Sequence, residues 1–289
     1  MAKLSVVIPS RNERFLVNTI NDLLTKAAGE IEVIPCLDGY DPELPEDPRV
    51  RRVRLPKASG MRACTNAGAS VATGDWLMKC DAHCLFSEGF DEVLKRDCED
   101  NWLMVPRRKR LDAEHWCIED PDRQPIDYHY LNCPTTNPDY YNFHGVIDQH
   151  RGVLRQHILV DETMSFQGSC WFMSRKHWDR LGGMPEMGYS SFPQEPQQLG
   201  NQTWLGPWDG RVVVNKRCYY AHLHKGKRYG RGYSQDRNEL RTGHEWSAKY
   251  WMGNKWEKRA HDFEWLVDRF WPVPTWPDNW RELDALIPK

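Results

Sequence analysis

Gly74-Asp75-Trp76-Leu77-Met78-Lys79-Cys80-Asp81-Ala82-His83-Cys84 is an apolar run that ends in two metal-capable side chains, and its reading decides the fold. Trp76, Leu77 and Met78 read as a buried strand entered through the Gly74-Asp75 turn and expiring near Asp81. Residues two apart on an extended segment share a side, so Asp81 and His83 should face one crevice at the strand's carboxyl end. Open α/β sheets bind ligands there. A carboxylate oxygen and an imidazole nitrogen suit Mn2+ or a similar divalent ion, which could neutralise a nucleotide's diphosphate. Alone, the pair is weak evidence and reads more often as a turn-capping Asp beside a solvent-exposed His. Cys80 and Cys84 flank it, but the paired knuckles usual for zinc are missing.

Upstream, residues 4–9 form a short β-branched run, the polar turn Ser10-Arg11-Asn12-Glu13 follows, and Phe15, Ile20, Leu23 and Leu24 recur at helical spacing. A second strand over 31–37 stops at Asp38-Gly39, a third lies within 50–55, and 61–71 reads as a helix of small residues. Such βα-type units ahead of the Asp-x-His strand predict a parallel, Rossmann-like sheet. Asp38 stands where a base or ribose could donate to it, or where it would close an Asx-type turn with Gly39. Arg62, opening the next helix, either reaches a phosphate or lies on a solvated face.

Downstream, 86–98 reads as an amphipathic helix and 102–106 as a strand ending in the basic run Arg107-Arg108-Lys109-Arg110, a pattern usual for solvated surface. Residues 111–160 are irregular. A strand within 166–174, a helix closing on Gly182-Gly183, a helix through Trp204 and a strand over 211–215 complete the regular part. The chain has 289 residues, fourteen of them Trp, many after residue 200, where they would cover a site or pack an extension. The formal net charge is −2, but 216–259 holds twelve Lys and Arg against four acids, a local charge of +8. Nine cysteines without C-x-x-C spacing fit reduced thiols. No leader pattern precedes the first strand and no apolar run nears the roughly 18–20 residues of a membrane span, so a cytoplasmic protein is expected.

With these residues in view, the chain resembles a GT-A-fold glycosyltransferase of the family-2 type. Residues 4–13 are similar to that family's first strand and donor loop. Gly60-Met61-Arg62-Ala63, Gly68-Ala69, Ala72-Thr73-Gly74-Asp75 and Asp81-Ala82-His83-Cys84 are similar to the matching run of polypeptide N-acetylgalactosaminyltransferases, which use a D-x-H metal motif. The likeness continues through Gly168-Ser169, Gly183, Glu195 and Trp204 to Ala221-His222. It implies an α/β fold with a Rossmann-like nucleotide-binding half, about 1–110, and an abutting acceptor half, about 111–225; residues 226–289 form a basic, helical, Trp-rich extension. It also implies a nucleotide-diphospho-sugar donor and Mn2+, or Mg2+, held by Asp81, His83 and His222. Pro9, Arg11, Glu13, Asp38, Arg62 and Lys225 would contact the donor, and Glu195 would be the acceptor's base, with Asp209 next in line. The departures are Gln194-Glu195-Pro196 where family-2 members usually carry paired acids, and no stretch similar to a lectin domain.

The acceptor is open. It is a sugar, peptide or small-molecule hydroxyl in one reading, and in a second a hydroxylated base in DNA, because the +8 segment interleaves cations with Tyr and Trp. A non-catalytic nucleotide- or nucleic-acid-binding module is the third. Residues 225–233, Gly-spaced and basic, read as a lid over the donor or as a flexible connector.

Overall fold

The computed structural model of the protein describes residues 2–134, 143–230, 233 and 236–282, with 227 described in its backbone only. Its first part alternates as the sequence pattern requires: β1 (Leu4–Ser10), α1 (Leu16–Lys26), β2 (Ile31–Asp38), β3 (Val53–Leu55), α2 (Met61–Val71) and β4 (Trp76–Cys80). β1 pairs in parallel with β2 and β4, and β2 with β3. The unbroken burial of Leu4 to Ile8 follows from this central place, with helices on both faces. Gly68 lets α2 lie directly on β1, since a Cβ there would stand 2.4 Å from Val7 Cγ1.

The chain then runs through β5 (Cys84–Phe86), α3 (Phe90–Asp97), β6 (Trp102–Asp112), β7 (Cys117–Ile118), β8 (His129–Leu131), β9 (Gly145–Ile147), α4 (Gln149–Leu154) and β10 (Val160–Glu162). β11 (Cys170–Ser174), α5 (Arg175–Leu181), α6 (Glu195–Leu205) and β12 (Arg211–His222) complete the sheet region. The order across the sheet is β10-β12-β6-β11-β4-β1-β2-β3. β12 runs parallel to β6, whereas β11 is antiparallel to both β4 and β6, so the sheet is mixed. The basic run 107–110 is corrected: it lies inside β6, paired with Tyr219–His222 of β12, and Arg108 is buried. Residues 86–98 also divide, because 84–86 pair with β12 before the helix starts at Phe90.

The tail is helical, with α7 (Gly226–Tyr229), α8 (Arg237–Met252) and α9 (Phe263–Phe270). Its Trp251, Trp256, Trp276 and Trp280 are buried in the same apolar cluster as Val7, Leu77, Trp171 and Trp204, so the tail shares the core of the sheet. No helix among the described residues is long and apolar enough to cross a membrane.

Candidate metal centre

Asp81 follows the last residue of β4, and its backbone N–H donates to Ser169 O at 2.8 Å. The short turn through Ala82 and His83 enters β5, whose Cys84 pairs with His222 at the end of β12. Leu223 N–H then donates to His83 O at 3.2 Å. This pairing brings together Asp81 and His222, 141 residues apart in sequence. His222 Nε2 stands 3.2 Å from Asp81 Oδ2, and His83 Nε2 stands 3.8 Å from the same oxygen. Among the described residues these three form a group whose ligand atoms lie within 4.8 Å of one another. Ligands about 2.1 Å from one octahedral ion are about 3 Å apart when adjacent, so one carboxylate oxygen and two imidazoles fit a divalent ion with sites left for other oxygen ligands.

The electrostatics agree. Burial alone would raise the Asp81 carboxyl, but the charge of Lys79, followed by His222 and His83, holds it well below the usual carboxylate range. Burial pulls His222 down to about 4, only partly offset by Asp81, so at neutral pH the imidazole is unprotonated and able to ligate. Glu13 stands beside the other imidazole: its Oε2 lies 3.3 Å from His83 Nδ1, which makes no hydrogen bond, and its Oε1 accepts from Lys225 Nζ. Burial would raise Glu13 as well, yet His83 and Lys225 together bring it below its ordinary value.

A cleft of about 710 Å3 opens over this centre, and Pro9, Arg11, Glu13, Asp38 and Lys225 all line it with the three candidate ligands. Arg11 Nε donates to Asp38 Oδ2 at 2.7 Å, and its guanidinium lies 5.6 Å from the Tyr233 ring centroid. Asp38 does not close a turn on Gly39. It accepts from Ser59 N–H at 2.6 Å and Gly60 N–H at 3.0 Å, tying β2 to the start of α2. Of the basic stretch 225–233, Gly226, Gly230 and Tyr233 wall the cleft, while 231 and 232 lie outside the described residues.

Three expectations are placed elsewhere. Arg62 is neither solvated nor on the cleft wall: it is fully buried, donates to Pro185 O and Pro193 O at 3.2 and 2.8 Å and to Gln198 Oε1, and lies over the Tyr189 ring at 4.4 Å. Glu195 sits beneath the cleft. Its Oε1 accepts from Trp171 Nε1 at 2.7 Å and its Oε2 from Lys79 Nζ at 3.2 Å, and burial raises its pKa against both partners. Neither oxygen faces the cleft lining. Asp209 precedes β12 at the end opposite His222. Sequence reasoning missed Lys79, Ser191, Phe192 and Glu239; a lysine inside an apolar strand was the one available signal.

The comparisons with known proteins agree with this geometry. The family model described as Glycosyl transferase family 2 matches residues 5–181. Polypeptide N-acetylgalactosaminyltransferase 12 of Mus musculus is 24% identical over an alignment of 324 residues, covering 96% of this chain and 53% of the relative. Polypeptide N-acetylgalactosaminyltransferase 5 of Caenorhabditis elegans is 23% identical over 227 residues, covering 71% of this chain and 34% of the relative. The chain thus spans about half or less of the length of these relatives. The crystal structure of GalNAc-T7 with UDP, GalNAc and Mn2+ superposes with a TM-score of 0.66 at 15% identity, over 87% of this chain and 48% of that one, and so shares the GT-A fold. With a family match over more than half of its length, and the Asp-x-His turn at the carboxyl end of the central strand, the chain belongs to glycosyl transferase family 2.

Proposed function

We propose that the protein is a metal-dependent glycosyltransferase that moves a sugar from a nucleotide-diphospho-sugar to an acceptor hydroxyl. The observation that carries this reading is the trio Asp81, His83 and His222 on the wall of a large cleft at the carboxyl end of β4. A neighbour of the same fold that holds UDP, GalNAc and Mn2+ supports the choice of donor class and of Mn2+. When bound, the ion would act as Lewis acid on the departing diphosphate. The chain's own groups prepare for it: Glu13 places a carboxylate 3.3 Å from His83 Nδ1, within reach of a hydrogen bond once the ring ligates, and Arg11 with Asp38 offers a paired donor and acceptor for the nucleoside end. Lys225 adds a cation on the same wall, held by Glu13 until an anion competes for it. Residues about 1–110 would then be the donor half and about 111–225 the acceptor half, with the tail closing one side.

For the acceptor, a hydroxyl on a sugar, peptide or small molecule is favoured over a base in DNA. Arg217, Lys225, Arg228, Lys249 and Arg259 of the basic segment pair with Asp97, Glu13, Glu114, Glu245 and Asp262, which leaves less charge for phosphates. The test is a panel of labelled nucleotide sugars with Mn2+ and an acceptor library that includes hydroxymethylated DNA, read by mass spectrometry. Transfer or donor hydrolysis should vanish in chelator, return with Mn2+, and be absent from Asp81→Ala and His222→Ala. Equal turnover of those variants in chelator would refute the metal-dependent reading.

A further inference from the structure

Lys79 is the last residue but one of β4, between β1 and β11, and is 1% exposed. It shares a strand side with Asp81 two residues on. All three donors of its ammonium are taken: Asp81 Oδ1 at 2.9 Å, Gly168 O at 2.5 Å and Glu195 Oε2 at 3.2 Å. Glu195 is itself fixed, by the Trp171 indole at 2.7 Å and by its place as the first residue of α6. The backbone beside it admits no side chain, since a Cβ on Gly168 would stand 2.4 Å from Glu195 Oε2. The result is a division of Asp81: Oδ1 faces the lysine, and Oδ2 faces the two imidazoles at 3.2 and 3.8 Å.

A metal ligand shared with a fixed cation presents less negative charge to the ion, and the lysine repels a second cation brought close to it. We propose that Lys79 is an internal counter-cation that keeps the empty site's hold on a divalent ion weak, so that the ion is retained with the donor's diphosphate, whose added charge completes the site. Glu195 acts through Lys79, as a positioning residue that offsets part of its charge, and takes no proton from the acceptor. This rests on the metal-dependent reading above and adds to it a reason for the one lysine among the apolar residues of β4.

The experiment is Mn2+ binding to the full chain, by electron paramagnetic resonance of the free ion and by calorimetry, with and without UDP as the diphosphate. Two variants move the charge in opposite directions. Lys79→Met/Glu195→Gln removes the cation with its counter-ion and should tighten nucleotide-free Mn2+ binding at least about fivefold. Glu195→Gln alone leaves the lysine uncompensated and should weaken it by a similar factor. UDP should then tighten Mn2+ binding more in the wild type than in the double variant. A role for Glu195 as base, or a purely structural pair, predicts no such ordering. Thermal melts check folding, and Lys79→Gln/Glu195→Gln, which retains hydrogen-bonding groups, replaces the double variant if that one does not fold. Equal Mn2+ affinity in wild type and both variants would overturn the role of Lys79 while leaving the metal centre standing; no Mn2+ bound by any of them, with UDP present, would overturn both.

Discussion

Glu13 stands 3.3 Å from His83 Nδ1, outside hydrogen-bond alignment, and pairs with Lys225 on its other side, so one carboxylate faces both an imidazole and a cation. Glu13→Gln keeps the shape but weakens both contacts. It should cost about 10–100-fold in Mn2+ affinity, the usual penalty for losing the partner of a ligating histidine. A Mn2+ titration checks this, and an unchanged affinity would mean that packing alone holds the ring. Arg62 shows the opposite situation, a charged side chain with a wholly structural place. Three protein oxygens take up its terminal nitrogens and the face of Tyr189 covers it, while its Nε has no hydrogen-bond partner; among the described residues no carboxylate pairs with it. Burial accordingly lowers its pKa to about 10, with Tyr189 and Glu195 countering. Arg62→Met should lower stability by about 3 kcal/mol, through the carbonyls and amide it leaves unpaired. Turnover per folded molecule should change little, a split that denaturant melts and active-site titration together would reveal. Nothing local in the sequence marks Arg62 as buried, because its partners come from 185–198.

At the scale of elements, the tail enters the cleft through α8. Glu239, in its first turn, accepts from the Ser191 N–H at 3.1 Å and from the hydroxyls of Ser190 and Ser191, and Ser191 in turn lines the cleft. Further along, the Trp246 ring packs where Gly188 has no side chain: a Cβ there would stand 2.2 Å from three ring atoms. Tyr189 meets the same indole edge-on at 4.6 Å. Gly188→Ala therefore pushes α8 off its seat, at an overpacking cost of about 1–3 kcal/mol. Hydrogen exchange of α8 should rise, and UDP affinity should fall because Glu239, on the cleft lining, moves with it. Exchange unaltered in α8 would show that the helix is seated by its other contacts. The tail was recognisable in the sequence as a basic, helical, Trp-rich extension; the docking of α8 on 187–191 is a tertiary match between a glycine and a tryptophan.

For the whole molecule, two buried histidines remote from the cleft contribute to the acid limit. Burial, with Arg108 nearby, lowers His129 to about 3, and burial with Arg180 does the same for His177, whose Nε2 lies 3.0 Å from Thr203 Oγ1. Both folded values lie below the ordinary 6.5, so the unfolded chain takes up these protons first. Their contribution to stability is complete above about pH 6.5 and is lost as pH falls toward 3, with a slope of up to about 2.7 kcal/mol per pH unit for the pair. His177→Gln should halve that slope in urea melts run from pH 7 to 4. The charge map makes a separate forecast. Lys216 is buried against Tyr128 OH and Arg155 O, and Arg217, Lys225, Arg228, Lys249 and Arg259 of the basic segment are ion-paired, so any DNA binding should show a shallow salt dependence. A slope of about 5 or more in log K against log salt would restore the nucleic-acid acceptor.

Sequence alone was enough for the parallel start of the sheet and for the Asp-x-His turn. Both are written locally, in the β-branched runs of 4–9 and 31–37 and in the two-residue spacing of Asp81 and His83. The resemblance supplied His222 as the third ligand and Glu195 as the base. Pairing of β5 with β12 places the first beside Asp81, whereas the second is turned beneath the cleft, toward Lys79 and Trp171. The antiparallel entry of β11, the burial of Arg108 in β6 and the seating of α8 had no local signature either. Each depends on partners distant in the chain, whose backbone pairing and side-chain fit decide which face a residue turns to, and hence whether a charge meets solvent, a ligand or another charge.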